Sequence, residues 1–510
     1  MSLITKIFLH SSRNRLSKLD SMRSNPWTFQ RQWFEELMLS GSKTTFFKEH
    51  GLSAKANLKQ FQSLVPLRDY DKLEPFIERV RKGEKNVLTM APVRWFAKSS
   101  GTSGAKSKFI PVTADSLKYC HMSGMKCMLS TYVNLYPKSK IFDGNALTLG
   151  GSVTVDELGN GNSCYGDLSA ILLKSSPWWV ELRRVPKREV ALISDFEKKM
   201  EIMCKEAAQY NVSNFSGVPS WNLVLMQAIL QYTGKNNLLE LWPNLELFMH
   251  GGINFDPYKE KYHSLIPYDG MHYMENYNAS EGYFAFQDDP GDSSLLLLTD
   301  NGVFYEFIPM DKLSEAIEGK FTEFDTVESV KTGINYALVL TTNGGLWRYL
   351  IGDAVQFVSL KPHRLIITGR TQLYINAFGE ELMINNAERA ITVACEKHGA
   401  VLENYTVAPI FMDDKTKGAH QWLIEFSTMP DNIGRFTESL DSELSRLNSD
   451  YEAKRQNNTT MSMPTVTVLS PGTFYKWLKE RGKLGGQNKV PRLHPSRVYV
   501  EELLELNDQS

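Results

Sequence analysis

A chain of 510 residues has room for more than one domain, and 42% hydrophobic with 23% charged residues is the balance of an ordinary globular protein. A formal net charge of -1 gives no general pull toward nucleic acid or an acidic membrane, so neither partner is expected and any basic patch must be local. Five scattered cysteines form no CxxC and no zinc spacing, which predicts reduced thiols in a cytoplasmic protein.

The apolar start, residues 1–9, is too brief for a secretory signal, and no run approaches membrane-spanning length. Trp27, Phe29, Trp33, Phe34 and Leu37 recur at helical spacing, which predicts a helix over 26–50 ended by Gly51. A second helix is predicted over 69–81. Val93 to Ala97 reads as a buried strand, 109–113 as another short apolar run, and 113–132 as a helix whose Met122, Met125 and Met128 fill core. Helices at 195–210 and 221–232, another ending near Trp242, and a strand at 245–249 stopped by Gly251 and Gly252 predict a mostly parallel sheet covered on both faces. Near Ser293 the texture changes. Leu295–Leu298 and Val303–Phe307 around Asp300-Asn301-Gly302, then Tyr336–Leu340 and Leu346–Leu350 around Asn343-Gly344, read as two hairpins of a β-barrel-like piece over about 293–368. A smaller α+β domain follows, with helices at 385–397, 435–456 and 473–480 and strands at 406–411, 421–426 and 465–469. The boundary is placed near residue 370, giving an α/β protein with domains 1–370 and 371–510.

Four stretches carry candidate chemistry. Lys98-Ser99-Ser100-Gly101-Thr102-Ser103-Gly104-Ala105-Lys106-Ser107-Lys108 joins two strands with glycines, hydroxyls and lysines, a composition that cradles a polyphosphate and equally suits a plain polar hairpin loop. It is not a Walker loop, since no Gly-Lys-Ser/Thr opens a helix. In Tyr277-Asn278-Ala279-Ser280-Glu281 the ring suits a purine, the hydroxyl a phosphate and the carboxylate a hard cation; the alternatives are a core aromatic and a solvated charge. Asp353, after Ile351-Gly352, suits the two hydroxyls of a ribose, or ends a simple turn. The Gly-rich basic stretch 482–492 suits neutralising a pentavalent phosphorus transition state, or is a flexible tail.

In this order, with Gly369-Arg370, these stretches resemble the adenylate-forming superfamily. Phe215–Ser220, Leu241–Asn244, Tyr277–Phe284, Gly345–Asp353 and Gln487–Arg492 resemble more closely the auxin-responsive Gretchen Hagen family of acyl acid–amido synthetases, over nearly the whole chain. Asn278-Ala279 departs from the plant pattern, which fits a bacterial-type member. The resemblance implies ATP and Mg2+ as cofactors. Ser99, Ser100, Gly101, Thr102 and Ser103 would hold phosphates. Tyr277 would lie against adenine, with Gly251 and Gly252 giving backbone room, and Ser280 would reach the α-phosphate. Glu281 would ligate the metal, Asp353 the ribose, and Arg370 ribose or phosphate. Lys489 would be the catalytic lysine of a mobile C-terminal domain, with Lys483 competing, and the pivot is sought near Leu373. Tyr119 and His250 are expected to line the acyl pocket, or to serve in packing. The reaction implied joins a small carboxylic acid to an amino acid through an acyl-adenylate. The alternatives are an acyl-CoA synthetase-like acid–thiol ligase and a catalytically silent nucleotide-binding regulator. The acid, the amine and the oligomeric state are left open.

Overall fold

The computed structural model describes residues 3–99, 107–159, 163–252, 255, 258–371, 374–380, 382–412, 417–456, 460–481 and 490–508. The stretches 100–106 and 482–489, which hold Ser100, Gly101, Thr102, Ser103, Lys483 and Lys489, lie outside the described residues, as does Leu373.

Eleven strands form one mixed sheet that organises the chain. One wing is parallel: Asn145–Thr148, Val212–Gly217, Leu247–Gly251 and His272–Ala279 lie side by side, with helices between them in sequence. Polar residues interrupt three of these strands, as in Val212–Gly217 and His272–Ala279, and only Leu247–Gly251 opens on an apolar run. The helix Pro219–Thr233 shows how local chemistry sets the ends. Pro219 occupies the first turn, where no N–H partner is lost, and Gly234 stops the helix in the left-handed region at φ 67°. The other wing is antiparallel and contains Gly282–Phe286, Leu295–Leu297, Val303–Pro309, Asn335–Thr342, Tyr349–Leu360 and His363–Arg370. The β-rich piece read from sequence is thus continuous with the parallel strands.

The second predicted hairpin forms, with Asn335–Thr342 paired to Tyr349–Leu360. The first does not: Leu295–Leu297 pairs with Gly282–Phe286 and His363–Arg370, while Val303–Pro309 pairs with Asn335–Thr342. Long-range bonds pull the Asp300-Asn301-Gly302 corner away from a hairpin turn. Asp300 accepts from Arg15 and Trp33 and pairs with Lys18, and the Asn301 amide donates to the Tyr283 carbonyl. The Gln30 amide donates to the carbonyls of Thr299 and Val303.

Several helix readings are also corrected. The predicted 26–50 helix divides into Pro26–Gly41 and Thr45–Glu49, because Gly41 packs flush against Phe47 and Trp347 and Thr44 caps the second piece. The 113–132 helix opens with a π-helical turn, Ser116–His121, before Met122–Leu135; Met128 is buried but Met125 is exposed. Near Trp242 there is only the 3-10 turn Leu238–Glu240. Asn448 splits the 435–456 helix by capping Ser449–Arg455.

A four-stranded sheet carries Val93–Ser99 and Lys108–Thr113 as antiparallel neighbours. The C-terminal part has a three-stranded sheet, Val401–Ile410, Ala419–Thr428 and Thr465–Val468, backed by Ile384–His398 and Ile433–Leu447. One apolar core runs from Leu147 and Phe248 of the parallel wing to Phe378 and Trp422. Among the described residues no helix is long and apolar enough to cross a membrane.

Candidate active site

Four segments meet where the two wings of the large sheet join. His272–Ala279 and Gly282–Phe286 form a tight hairpin, with Ala279 paired to Gly282 and only Ser280 and Glu281 in the turn. That geometry puts Ser280 and Glu281 at a rigid tip. Tyr277, two residues before the end of its strand, is 6% exposed, and its ring stands edge-to-face with Phe284 at 4.9 Å. Its hydroxyl donates to Asp353 Oδ2. The other oxygen of Asp353 accepts from Arg370 at 2.5 Å, directly across the antiparallel pair Tyr349–Leu360 and His363–Arg370. Gly352 at φ 94° turns the chain so that its carbonyl takes both the N–H and the hydroxyl of Thr371, at 2.8 and 3.2 Å. The junction after Arg370 is thereby tied to the Asp353 corner.

The electrostatics follow from burial. Loss of water pushes the Glu281 carboxyl up from its ordinary range, and the nearby Lys108 and Arg370 pull it back only partly. Tyr277 is raised well above a normal phenol, first by burial and then by Asp353. Tyr349, buried beside Glu281, is raised in the same way. Two cations, two carboxylates and two buried phenols are therefore gathered in one low-dielectric neighbourhood.

Lys108 links this neighbourhood to the glycine-rich stretch. Ser99 and Lys108 are paired at the open end of the Val93–Ser99 and Lys108–Thr113 hairpin, so residues 100–107 connect the two strands there. Lys108 is 5% exposed, and the following N–H, of Phe109, donates to the Tyr70 hydroxyl at 2.9 Å. Lys108 closes the lysine-bearing stretch read from sequence and Tyr349 lies within Gly345–Asp353, but the motifs give neither a role of its own. The pairing of the first residue beyond the loop with Ser99 is the signal that marks Lys108.

The parallel wing supplies a backbone surface beside the hairpin. Gly251 pairs with Asn276, and a Cβ there would stand 2.3 Å from the Asn276 carbonyl oxygen. Gly251 is required by this close approach of two strands. Gly252 adopts φ 85°, a turn that favours glycine. The Asn276 amide donates to the His250 carbonyl at 2.8 Å. His250 is 3% exposed and packs against Phe255 at 4.2 Å and Phe248 at 5.2 Å. Tyr119 lies on the π-helical turn with 41% exposure, its ring near Trp33 and its hydroxyl accepting from Lys118. Neither contact reaches the Tyr277–Asp353 group. On the same turn the buried His121 faces Asn278 at 3.3 Å, and burial lowers it to about 4, so its ring is neutral at ordinary pH.

The hairpin end at Ser99 and Lys108, the carboxylate of Glu281 in a two-residue turn and the buried Asp353–Arg370 pair are thus gathered in one neighbourhood. The GH3 family N-terminal domain matches residues 15–271, its central domain 296–370 and its C-terminal domain 385–498, so the chain belongs to the GH3 family. Among curated relatives, the chain is 22% identical to indole-3-acetic acid-amido synthetase GH3.8 of Oryza sativa subsp. indica, over 96% of this chain and 92% of that one. It is 23% identical to jasmonoyl–L-amino acid synthetase GH3.5 of Oryza sativa subsp. japonica, over 98% and 97%. Among solved structures, GH3.15 acyl acid amido synthetase superposes with a TM-score of 0.60 at 18% identity, covering 98% of this chain and 96% of the other. A 2-hydroxyisobutyryl-CoA ligase shares the fold with a TM-score of 0.55 at 10% identity, over 96% and 93%.

Proposed function

We propose that this protein is an ATP-dependent acyl acid–amido synthetase, which activates a small carboxylic acid as its adenylate and passes the acyl group to an amino acid. The observation that carries the reading is the convergence of Tyr277, Asp353, Arg370, Glu281 and Lys108 at the end of the Ser99–Lys108 hairpin. Membership of the family and the amido synthetase activities for which its relatives are named support it.

In this reading the residues take the roles that the family resemblance implies. Hydroxyls and backbone N–H groups of Ser99, Ser100, Gly101, Thr102 and Ser103 hold the phosphates of ATP, and Lys108 supplies charge behind them. Tyr277 and the backbone at Gly251 and Gly252 flank the adenine. Asp353 accepts the ribose hydroxyls, sharing its carboxylate with Arg370. Ser280 donates toward the α-phosphate.

Mg2+ fits this site in one mode. Among the described residues no group of three or more His, Cys, Asp and Glu is gathered for a metal, so a single carboxylate, Glu281, would hold the ion together with phosphate oxygens and water. When bound, the ion supplies charge neutralisation on the phosphates. The substrate carboxylate attacks the α-phosphorus, pyrophosphate leaves, and an amine then attacks the acyl carbon and expels AMP. The chain positions the reactants and excludes water from the mixed anhydride. Lys489 is assigned to the adenylation step, contributed by the C-terminal domain, residues 371–510, turning about the junction after Arg370. The acid binds between the helical segment Ser116–Leu135, His250 and the Tyr277 hairpin. The protein is placed in the cytoplasm, consistent with cysteines that form no disulfide among the described residues.

The test is direct. Purified protein is given ATP, Mg2+, a panel of carboxylic acids, and either amino acids or coenzyme A. Acid-dependent exchange of labelled pyrophosphate into ATP, with an amide detected by mass, is the expected result. A thioester without amide would overturn the choice of acceptor, and no exchange with any acid would leave a nucleotide-binding regulator.

A further inference from the structure

The segment after the helix Leu168–Ser175 leaves its largest apolar side chains in solvent. Trp178 is 75% exposed, Trp179 50% and Leu182 72%. Trp178 and Leu182 are four residues apart across the short helix Trp178–Glu181 and so share a face, with Trp179 beside them. Two exposed indoles and a leucine in five residues are a contiguous apolar patch, not the scatter normal on a protein surface.

The patch has a basic surround. Residues 174–189 contain Lys174, Arg183, Arg184, Lys187 and Arg188 against Glu181 and Glu189, a net charge of +3 in a chain whose total is -1. Glu181 is itself occupied by Arg184 at 2.5 Å and Arg188 at 3.2 Å. Lys174 and Lys187 are exposed and flank the indoles along the chain. The surface continues toward the small sheet, where Lys174 Nζ stands 5.7 Å from the centre of the Trp95 ring. Trp95 is paired across the strands with Cys164 and, beyond it, the 55% exposed Val155.

Indole rings flanked by lysines are the chemistry of a bilayer interface. Trp partitions to the headgroup level, and basic side chains meet anionic phosphates. We propose that this face docks on an anionic lipid surface, with Trp178, Trp179 and Leu182 entering the interface and Lys174 and Lys187 on the headgroups. Such docking is peripheral and needs no spanning segment. It departs from the expectation drawn from whole-chain charge, because a total near zero hides a local excess. It is independent of the reaction assigned above.

The experiment is sedimentation of the full protein with vesicles of phosphatidylcholine containing phosphatidylglycerol, against vesicles of phosphatidylcholine alone, over a salt series. Binding to the anionic vesicles, falling with salt, is expected. Trp178→Ser/Trp179→Ser/Leu182→Ser and, separately, Lys174→Glu/Lys187→Glu are each expected to weaken it about tenfold or more, with amide synthesis from a water-soluble acid unchanged. Wild-type protein that pellets with neither vesicle overturns the proposal, as does equal pelleting of wild type and the charge-reversed variant. Loss of self-association in the Trp/Leu variant by ultracentrifugation, with vesicle binding unaltered, assigns the patch to a second copy and also overturns it. Should the triple variant fold poorly, the charge pair and the salt series still decide.

Discussion

The carboxyl of Glu281 is held among Lys108, Arg370, Asp353 and Tyr349, and burial outweighs the two cations in setting its protonation. A carboxyl raised by folding favours its neutral form in the native state. The stability it lends is fully present below its unfolded pKa and is lost as pH rises through the raised native value. Glu281→Gln, which is neutral at every pH, is therefore expected to raise Tm at pH 8 relative to wild type, and the gain is expected to shrink on acidification. Thermal melts across that range check this, and a gain that grows toward acid contradicts it. The same variant is expected to lose pyrophosphate exchange. Asp353 gives a second prediction. Its carboxylate accepts from both Tyr277 and Arg370, and hydrogen bonds to charged groups contribute about 1.5–3 kcal/mol each. Asp353→Asn is expected to raise the KM for ATP about 10–100-fold by exchange kinetics.

Single elements are held by contacts that no local pattern announces. The strand Tyr349–Leu360 is entered through Arg348, which is 1% exposed and in the left-handed region at φ 49°. Its guanidinium forks onto Glu306 at 3.0 and 3.1 Å and donates to the carbonyls of Gln62 and Val65. Arg348→Ala strands a buried carboxylate, and a loss of about 3–5 kcal/mol is expected from the urea midpoint at unchanged slope. The strand read at Val93–Ala97 is legible because its apolar run is local, and it forms within Val93–Ser99. The Leu295–Phe307 hairpin is misread for the opposite reason. Asp-Asn-Gly is turn chemistry, but Asp300 and Asn301 are bound by Arg15, Trp33, Tyr283 and Tyr305, hundreds of residues away for some, so the corner serves two non-adjacent strands.

For the whole molecule, the proposed reaction divides between the large domain and a lysine of the small one. Lys489→Ala is expected to slow acid-dependent pyrophosphate exchange about 100-fold or more, the scale of removing one preorganised charge from a transition state. Aminolysis of a chemically prepared acyl-adenylate is expected to continue near the wild-type rate. Equal loss of both steps, measured by mass, would place Lys489 in a role common to both. The described structure brings Ile375 and Phe378 into the core shared with Phe248 and Tyr262, and the Tyr258 hydroxyl donates to the Ala377 carbonyl. A rotation of the small domain must therefore turn beyond or break these contacts.

The class of chemistry was legible through the family resemblance that the motifs carry together and in order, since each stretch by itself suits a plain loop, turn or tail equally well. Helices such as 221–232 and the apolar strand at 245–249 were readable because period and turn residues are written locally, whereas the parallel strands Asn145–Thr148, Val212–Gly217 and His272–Ala279 were not, being rich in polar residues. Only the folded chain shows that Asp353 lies against Tyr277 and Arg370, that Lys108 faces Glu281, and that Trp178 and Trp179 stand in solvent. Those facts depend on which strands become neighbours and which faces remain uncovered, and both are settled by packing between segments far apart in sequence.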